Sequence, residues 1–128
     1  MRPAAYRDHL VGLLRNTPDV LKASAVEGGP YPYALSVTVA GRDQRWQVIG
    51  QLADGAKHDI PTPAVTAGPP SFAPAPLGGA PDAWLAGVIG VSEPADTERL
   101  DVWSAREGKA AGLTVFFHNG ERAFLRLV

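Results

Sequence analysis

Residues 113–128, LTVFFHNGERAFLRLV, constrain the fold most strongly, because their pattern predicts a β-hairpin. Asn119-Gly120 supplies two residues that readily adopt positive φ, as a two-residue type I′ turn requires, and β-branched and aromatic residues flank them. Such a turn pairs His118 with Glu121 and sets alternate cross-strand pairs on opposite faces of the sheet. The chain is therefore expected to contain an antiparallel sheet that includes this hairpin.

Two helices and four further strands are predicted before the hairpin. Apolar residues recur at helical spacing in residues 3–16 and 81–91. Alternating or short apolar stretches predict strands near residues 22–27, 33–40, 45–52 and 99–105. The turn after the second strand is expected at Arg42-Asp43 or across residues 41–44, which sets Trp46 opposite Val39. Together these elements predict an α+β protein with two helices packed on an antiparallel sheet.

A proline-rich segment separates two similar groups of elements. Seven of the twelve prolines lie between Ile60 and Pro81, where few large apolar residues could anchor the chain. Proline cannot pair in a central strand or continue a helix, so residues 59–80 are expected to form an extended or disordered linker. We therefore predict one domain over residues 1–128, with an α-β-β-β sub-unit at 3–58, the linker, and a second α-β-β-β sub-unit at 81–128.

The two sub-units carry similar hairpins, which predicts an internal duplication. Shifting the chain by 78 residues places Leu35 on Leu113 and Trp46 on Phe124. The two meanders are then expected to join edge to edge or to pack face to face around one core, with Trp46 and Phe124 both buried. Any two half-buried hairpins share an alternating pattern, so a coincidental match stays open as the alternative.

The predicted register gives the C-terminal hairpin an outer face that is more apolar than a solvated sheet needs. This outer face carries Thr114, Phe116, His118, Ala123, Leu125 and Leu127, with Trp103 beside them, whereas that of the first hairpin carries Ser36, Thr38, Arg45 and Gln47. Either a helix or the other sub-unit covers it, or it is a surface for a partner. A stripe of small residues on the second helix, including Gly87 and Gly90, is a second candidate contact surface, because it permits close approach.

Composition and motifs give little support to catalysis. The chain has no cysteine and its three histidines lie far apart, so thiol chemistry is excluded and a metal site is not expected. No GxSxG, GxGxxG or phosphate-loop motif occurs. A formal net charge of −1 offers no overall attraction to nucleic acid, and no apolar run reaches the about 18 residues of a membrane span. We expect a cytoplasmic protein without membrane attachment, enzymatic activity, cofactor or metal.

These observations favour a non-enzymatic protein-interaction module, of the adaptor, chaperone or immunity type, that binds a protein partner or a second copy of itself. The predicted partner-binding residues are Trp103, Phe116, His118, Leu125, Leu127, Gly87 and Gly90. One alternative is a nucleic-acid-associated protein that uses Arg122 and Arg126. Another is a small-molecule-binding domain with a pocket between helix and sheet.

Overall fold

The described part of the chain forms two helices and six strands. The structure is a computed structural model that describes residues 2–53, 55–56, 62–72, 76–106 and 110–128. In chain order the elements are α1 (Pro3–Arg15), β1 (Val20–Val26), β2 (Ala34–Val39), β3 (Arg42–Gln51), α2 (Pro81–Val91), β4 (Thr97–Val102), β5 (Gly112–Phe117) and β6 (Arg122–Leu127). A short 3₁₀-helix, Trp103–Ala105, follows β4.

All six described strands lie in one antiparallel sheet with the order β1-β2-β3-β6-β5-β4. Each half is a three-stranded meander preceded by a helix, and the halves join edge to edge through β3 and β6. The pairing there is symmetric, with Trp46 opposite Leu127 and Val48 opposite Leu125. The predicted α+β fold with two helices on an antiparallel sheet is confirmed, whereas the duplication itself stays a prediction.

Both helices pack on the same face of the sheet and share one hydrophobic core. The fully buried large side chains are Leu10 and Leu14 of α1, Leu85 of α2, and Leu35, Val37, Trp46, Val48, Leu113, Val115 and Leu125 of the sheet. Burying a side chain of this size contributes about 1.5–3 kcal/mol. Because both halves supply such residues to one cluster, neither half has a separate core.

The turn of the first hairpin consists of Ala40 and Gly41, whose φ angles are 53° and 72°. Two consecutive positive φ angles are the signature of a type I′ turn, which closes the hairpin with two residues. Trp46 therefore lies opposite Leu35 and not, as predicted, opposite Val39. The predicted turn position is wrong because alanine rarely adopts positive φ, so Ala40 gives no signal that the turn begins there.

The loop of the C-terminal hairpin has three residues, His118–Gly120, where two were predicted. The Phe117 N–H donates to the Glu121 carbonyl at 3.0 Å, and the Gly120 N–H donates to the Phe117 carbonyl at 3.0 Å. Asn119 holds this wider loop, because its Oδ1 accepts the Glu121 N–H at 2.9 Å and its Nδ2 donates to Glu121 Oε1 at 2.9 Å. The predicted register is therefore wrong by one residue.

This shift of one residue exchanges the two faces of β6, since side chains alternate along a strand. Leu125 lies opposite Leu113 and is 0% exposed. Phe124 points to the other face and is only half-buried. The burial of Trp46 is confirmed, but the predictions that Phe124 belongs to the core and Leu125 to the outer face are wrong. By position in the sheet the counterpart of Trp46 is Leu125, 79 residues further on.

The described residues of the proline-rich segment, 62–72 and 76–80, contain no helix or strand. They nevertheless contact the folded body of the protein. The Ala67 N–H donates to the Ala95 carbonyl at 2.9 Å. The Phe72 ring packs so tightly against Gly90 of α2 that a Cβ there would clash with it. These two contacts hold the chain at Ala67 and Phe72 against the loop after α2 and against α2 itself, and the linker role stays a prediction.

Candidate functional site

The sheet face turned away from the two helices is the candidate functional site, and we call it the open face. Side chains alternate along each strand, so the side chains next in sequence to the buried ones point to the open face. Its residues in the C-terminal half are Arg99, Asp101, Trp103, Gly112, Thr114, Phe116, Arg122, Phe124 and Arg126, bordered by Tyr31, Gln47 and Ile49. Neither helix covers this face, because the apolar side chains of both helices pack with the opposite face.

Phe116 stands between two arginines on the open face. It lies opposite Arg99 on β4 and Arg122 on β6. The guanidinium carbon of Arg99 is 3.7 Å from the centre of the Phe116 ring, and that of Arg122 is 5.1 Å away. Cation–π contacts at exposed sites contribute about 0.5–1 kcal/mol each. A guanidinium held against a ring keeps its N–H groups at the edge, where they can donate to a carboxylate or phosphate.

Trp103 covers the first residue of β5, Gly112, on the open face. Its indole N–H donates to Thr114 Oγ1 at 2.8 Å. Its ring lies directly over Gly112, where a Cβ would overlap the indole. Only glycine fits at that position, and Trp103 is held half-buried in a defined orientation.

Asp82 of α2 anchors the 3₁₀-helix that carries Trp103. The Asp82 carboxylate is fully buried and accepts hydrogen bonds from the Ala83 N–H, the Ser104 N–H and hydroxyl, and the Gly112 N–H. Burial alone would raise the pKa of Asp82, but the hydrogen bonds from Ser104, Gly112 and Ala83 outweigh it and hold that pKa below its ordinary value. The carboxylate is therefore ionised, and it ties α2, the 3₁₀-helix and β5 together.

Arg126 lies at the middle of the sheet, where the two halves meet. Its Nη2 donates to Gln47 Oε1 at 3.0 Å, and its guanidinium carbon is 5.6 Å from the Tyr31 ring centre. Beside it, Phe124 lies opposite Ile49, which is 41% exposed. Apolar side chains and arginines therefore alternate from the edge of the sheet to its centre.

The open face carries more positive than negative charge. The strands direct to it Lys22, Arg45, Arg99, Arg122 and Arg126, against Asp43 and Asp101. Asp101 is already paired with Arg106, and Asp43 accepts the Thr38 hydroxyl at 2.6 Å. Within the part of the chain that the structure describes, Arg99, Arg122 and Arg126 form no ion pair. A chain of formal net charge −1 thus presents one positive face.

Trp103 and the hairpin residues predicted to bind a partner lie in three different places. Trp103 and Phe116 lie on the open face. Leu125 is in the core and Leu127 packs against it, so placing both on the outer face was wrong, because the loop shifts the register. His118 lies at the hairpin tip, with its Nε2 3.0 Å from the Gly68 carbonyl oxygen.

The two helix glycines predicted to contact a partner are buried in α2. Gly90 is covered by Phe72 of the same chain, so its lack of a side chain serves a contact within the chain, and its role in partner binding stays a prediction. Gly87 lines a groove between α2 and the C-terminal end of α1, together with Leu13 and Val88.

Sequence reasoning missed Phe124, Arg99 and Tyr31 as residues of the open face. The predicted register places Phe124 on the opposite face. That register is wrong because an Asn-Gly pair preceded by histidine does not show whether the loop has two residues or three. Arg99 and Tyr31 reach the face only through pairing and loop packing with distant residues. Arg122 and Arg126, proposed for nucleic acid from the sequence, do lie on it.

A metal site and a membrane span find no support in the described residues. They contain no group of three or more His, Cys, Asp or Glu side chains arranged to hold a metal ion. None of their helices is both long and apolar enough to cross a membrane.

Comparison with known proteins identifies no relative: no family model, no curated protein and no solved structure matches the chain.

Proposed function

We propose that this protein is a non-enzymatic binding module whose open face binds an acidic segment of a partner protein. The observation that carries this proposal is the alternation of half-buried aromatic rings with arginines that form no ion pair among the described residues. Tryptophan, phenylalanine and arginine are enriched at the centre of protein interfaces, where they supply most of the binding energy. A partner that brings carboxylates and apolar side chains complements both features.

The Arg99 guanidinium favours a protein partner over stacked bases. A base that stacks needs a free ring face, and Arg99 lies 3.7 Å over the Phe116 ring. Carboxylates need no free ring face, because they accept hydrogen bonds from the edges of the two guanidinium groups. The positive charge also disfavours a symmetric dimer through this face, since each copy would set Arg122 and Arg126 against an equally positive patch. We therefore infer a distinct partner.

A second candidate function, binding of single-stranded nucleic acid, is favoured by one specific observation. Phe124 is half-buried between Arg122 and Arg126 along β6, and no cation–π contact with a described residue covers its ring. Alternating arginines and an open ring form a platform on which a base can stack while its phosphates meet the guanidinium groups. The two functions place the same residues in different roles, so direct binding measurements separate them.

The test compares two labelled probes by fluorescence anisotropy at low salt. One is a short peptide in which glutamate alternates with phenylalanine, and the other is a deoxythymidine oligonucleotide of similar length. We expect the peptide to bind more tightly than the oligonucleotide. Arg122→Ala is expected to weaken the binding of the peptide about fivefold, which corresponds to about 1 kcal/mol.

Arg42→Ala is the matched control, because it removes the same charge from an exposed position at the first turn. The proposal is refuted if Arg42→Ala and Arg122→Ala weaken the peptide equally, or if Phe116→Ala leaves its affinity unchanged. Tighter binding of the oligonucleotide, lost with Phe124→Ala, would instead establish the second function. Circular dichroism of each variant shows whether it keeps its fold.

A further inference from the structure

A cavity of about 330 Å³ lies on the helix side of the sheet, away from the open face. Its walls come from five parts of the chain: the first turns of α1, residues 62–65, the end of α2, the segment that leads into β4, and the tip of the C-terminal hairpin. Pockets of this size accept small ligands and combine apolar walls with a few polar groups that orient the ligand. Here Phe117 and Ile89 supply apolar walls.

Tyr6 places a hydroxyl without a partner at this cavity. Its side chain is 8% exposed, and its ring packs edge-on against Phe117 with the ring centres 5.4 Å apart. No described residue forms a hydrogen bond with the Tyr6 hydroxyl. Every described side-chain nitrogen or oxygen that is fully closed off from solvent does have such a partner. The hydroxyl therefore reaches open space, and the open space that Tyr6 lines is this cavity.

The charged groups of the cavity are arranged by depth. Asp96 is half-buried and accepts the Thr97 hydroxyl at 3.1 Å, and Glu121 is 2% exposed and bonded to the Asn119 amide. Arg2 and His9 are exposed and lie at the rim. Burial, together with the negative charge of Asp96, raises the pKa of the Tyr6 hydroxyl, so it stays neutral at physiological pH. The interior thus combines an aromatic wall with the Asp96 carboxylate and a neutral hydroxyl.

We propose that this cavity binds a small organic amine in its ammonium form. The ammonium donates to the Asp96 carboxylate and to the Tyr6 hydroxyl oxygen, and the apolar body of the ligand packs on Phe117 and Ile89. Cations are attracted both to carboxylates and to aromatic rings, whereas the Asp96 carboxylate repels an anion of the same shape. A neutral hydroxyl can complete the coordination of an ammonium, which explains why Tyr6 is buried without a partner of its own.

Three probes of one shape test the charge preference of the cavity. Benzylamine, benzyl alcohol and benzoate share a ring and differ in charge, and each is titrated into the full chain by isothermal calorimetry and by amide chemical shifts. We expect benzylamine to bind about tenfold more tightly than either of the others. The shifted amides are expected around Tyr6, Asp96 and Phe117 and not on the open face.

Two variants test the assigned contacts. Asp96→Asn and Tyr6→Phe keep the volume of the side chains, and each is expected to weaken benzylamine about fivefold. Glu98→Gln, which removes one negative charge from an exposed position two residues from Asp96, is the control that leaves binding unchanged. Preference for benzoate, no binding of benzylamine, or equal affinity in Asp96→Asn and the original chain would each overturn the proposal. A thermal unfolding curve for each variant shows that its cavity is still folded.

Discussion

Removing the Asp82 carboxylate is expected to destabilise the protein more than any other change of a single polar side chain in the described residues. Its four hydrogen bonds join α2 to the 3₁₀-helix and to β5. Hydrogen bonds to a charged group contribute about 1.5–3 kcal/mol each, but Ser104 is exposed and can turn to water after Asp82→Ala, so the contributions do not simply add. The Gly112 N–H is buried and loses its partner outright. We expect Asp82→Ala to lower the free energy of unfolding by about 3–5 kcal/mol.

The variant Asp82→Asn tests the contribution of the charge separately from that of most of the hydrogen bonds. The asparagine oxygen can still accept the Ser104 and Gly112 N–H groups, and its amide can donate to the Ser104 hydroxyl, so only the bond from Ala83 and the charge are lost. We expect Asp82→Asn to lower the free energy of unfolding by about 1–2 kcal/mol. Because the pKa of Asp82 is lowered from 3.8 in the folded state, the carboxylate stabilises the fold fully above that pH, and the stabilisation disappears as the pH falls below it. The difference between Asp82→Asn and the original chain should therefore shrink in acid.

Urea unfolding followed by tryptophan fluorescence, at neutral pH and at a series of acidic pH values, measures these differences. Glu98→Gln serves as the control, since it neutralises an exposed carboxylate outside the network. The reasoning is refuted if Asp82→Ala destabilises by less than about 1 kcal/mol. It is also refuted if the difference in the free energy of unfolding between Asp82→Asn and the original chain grows in acid.

Three further predictions test the turns and the packing. Leu125→Ala should destabilise the protein by about 2–5 kcal/mol, and Phe124→Ala by less than half of that, in urea unfolding; equal losses would contradict the three-residue loop. Gly112→Ala should destabilise by about 1–3 kcal/mol, because the added methyl overlaps the Trp103 ring, and a shift of the indole resonance by NMR would report the displaced ring. Ala40→Asn should stabilise by about 0.5–1 kcal/mol, since asparagine adopts the positive φ of this position more readily than alanine; a lower melting temperature would contradict the turn type.

Local sequence patterns predict the elements and their order, because these depend on the periodicity of apolar residues. The helical spacing of Tyr6, Leu10 and Leu14 appears as the buried stripe of α1. The alternation of Leu35 and Val37 with polar neighbours appears as the inner face of β2. Such patterns require only that each element buries one side, so the fold class and the α-β-β-β order of each half follow from them.

The registers of the hairpins, and through them the candidate site, depend on tertiary packing. One extra residue in a hairpin loop costs little, so the side-chain hydrogen bonds of Asn119 and the packing of Leu125 into the core select the register. That selection moved Phe124 to the open face beside residues of other strands. The cavity that Tyr6 lines likewise brings together segments that are far apart in the chain. Local patterns contain no information about such distant neighbours, because their proximity is the outcome of packing the whole sheet against its two helices.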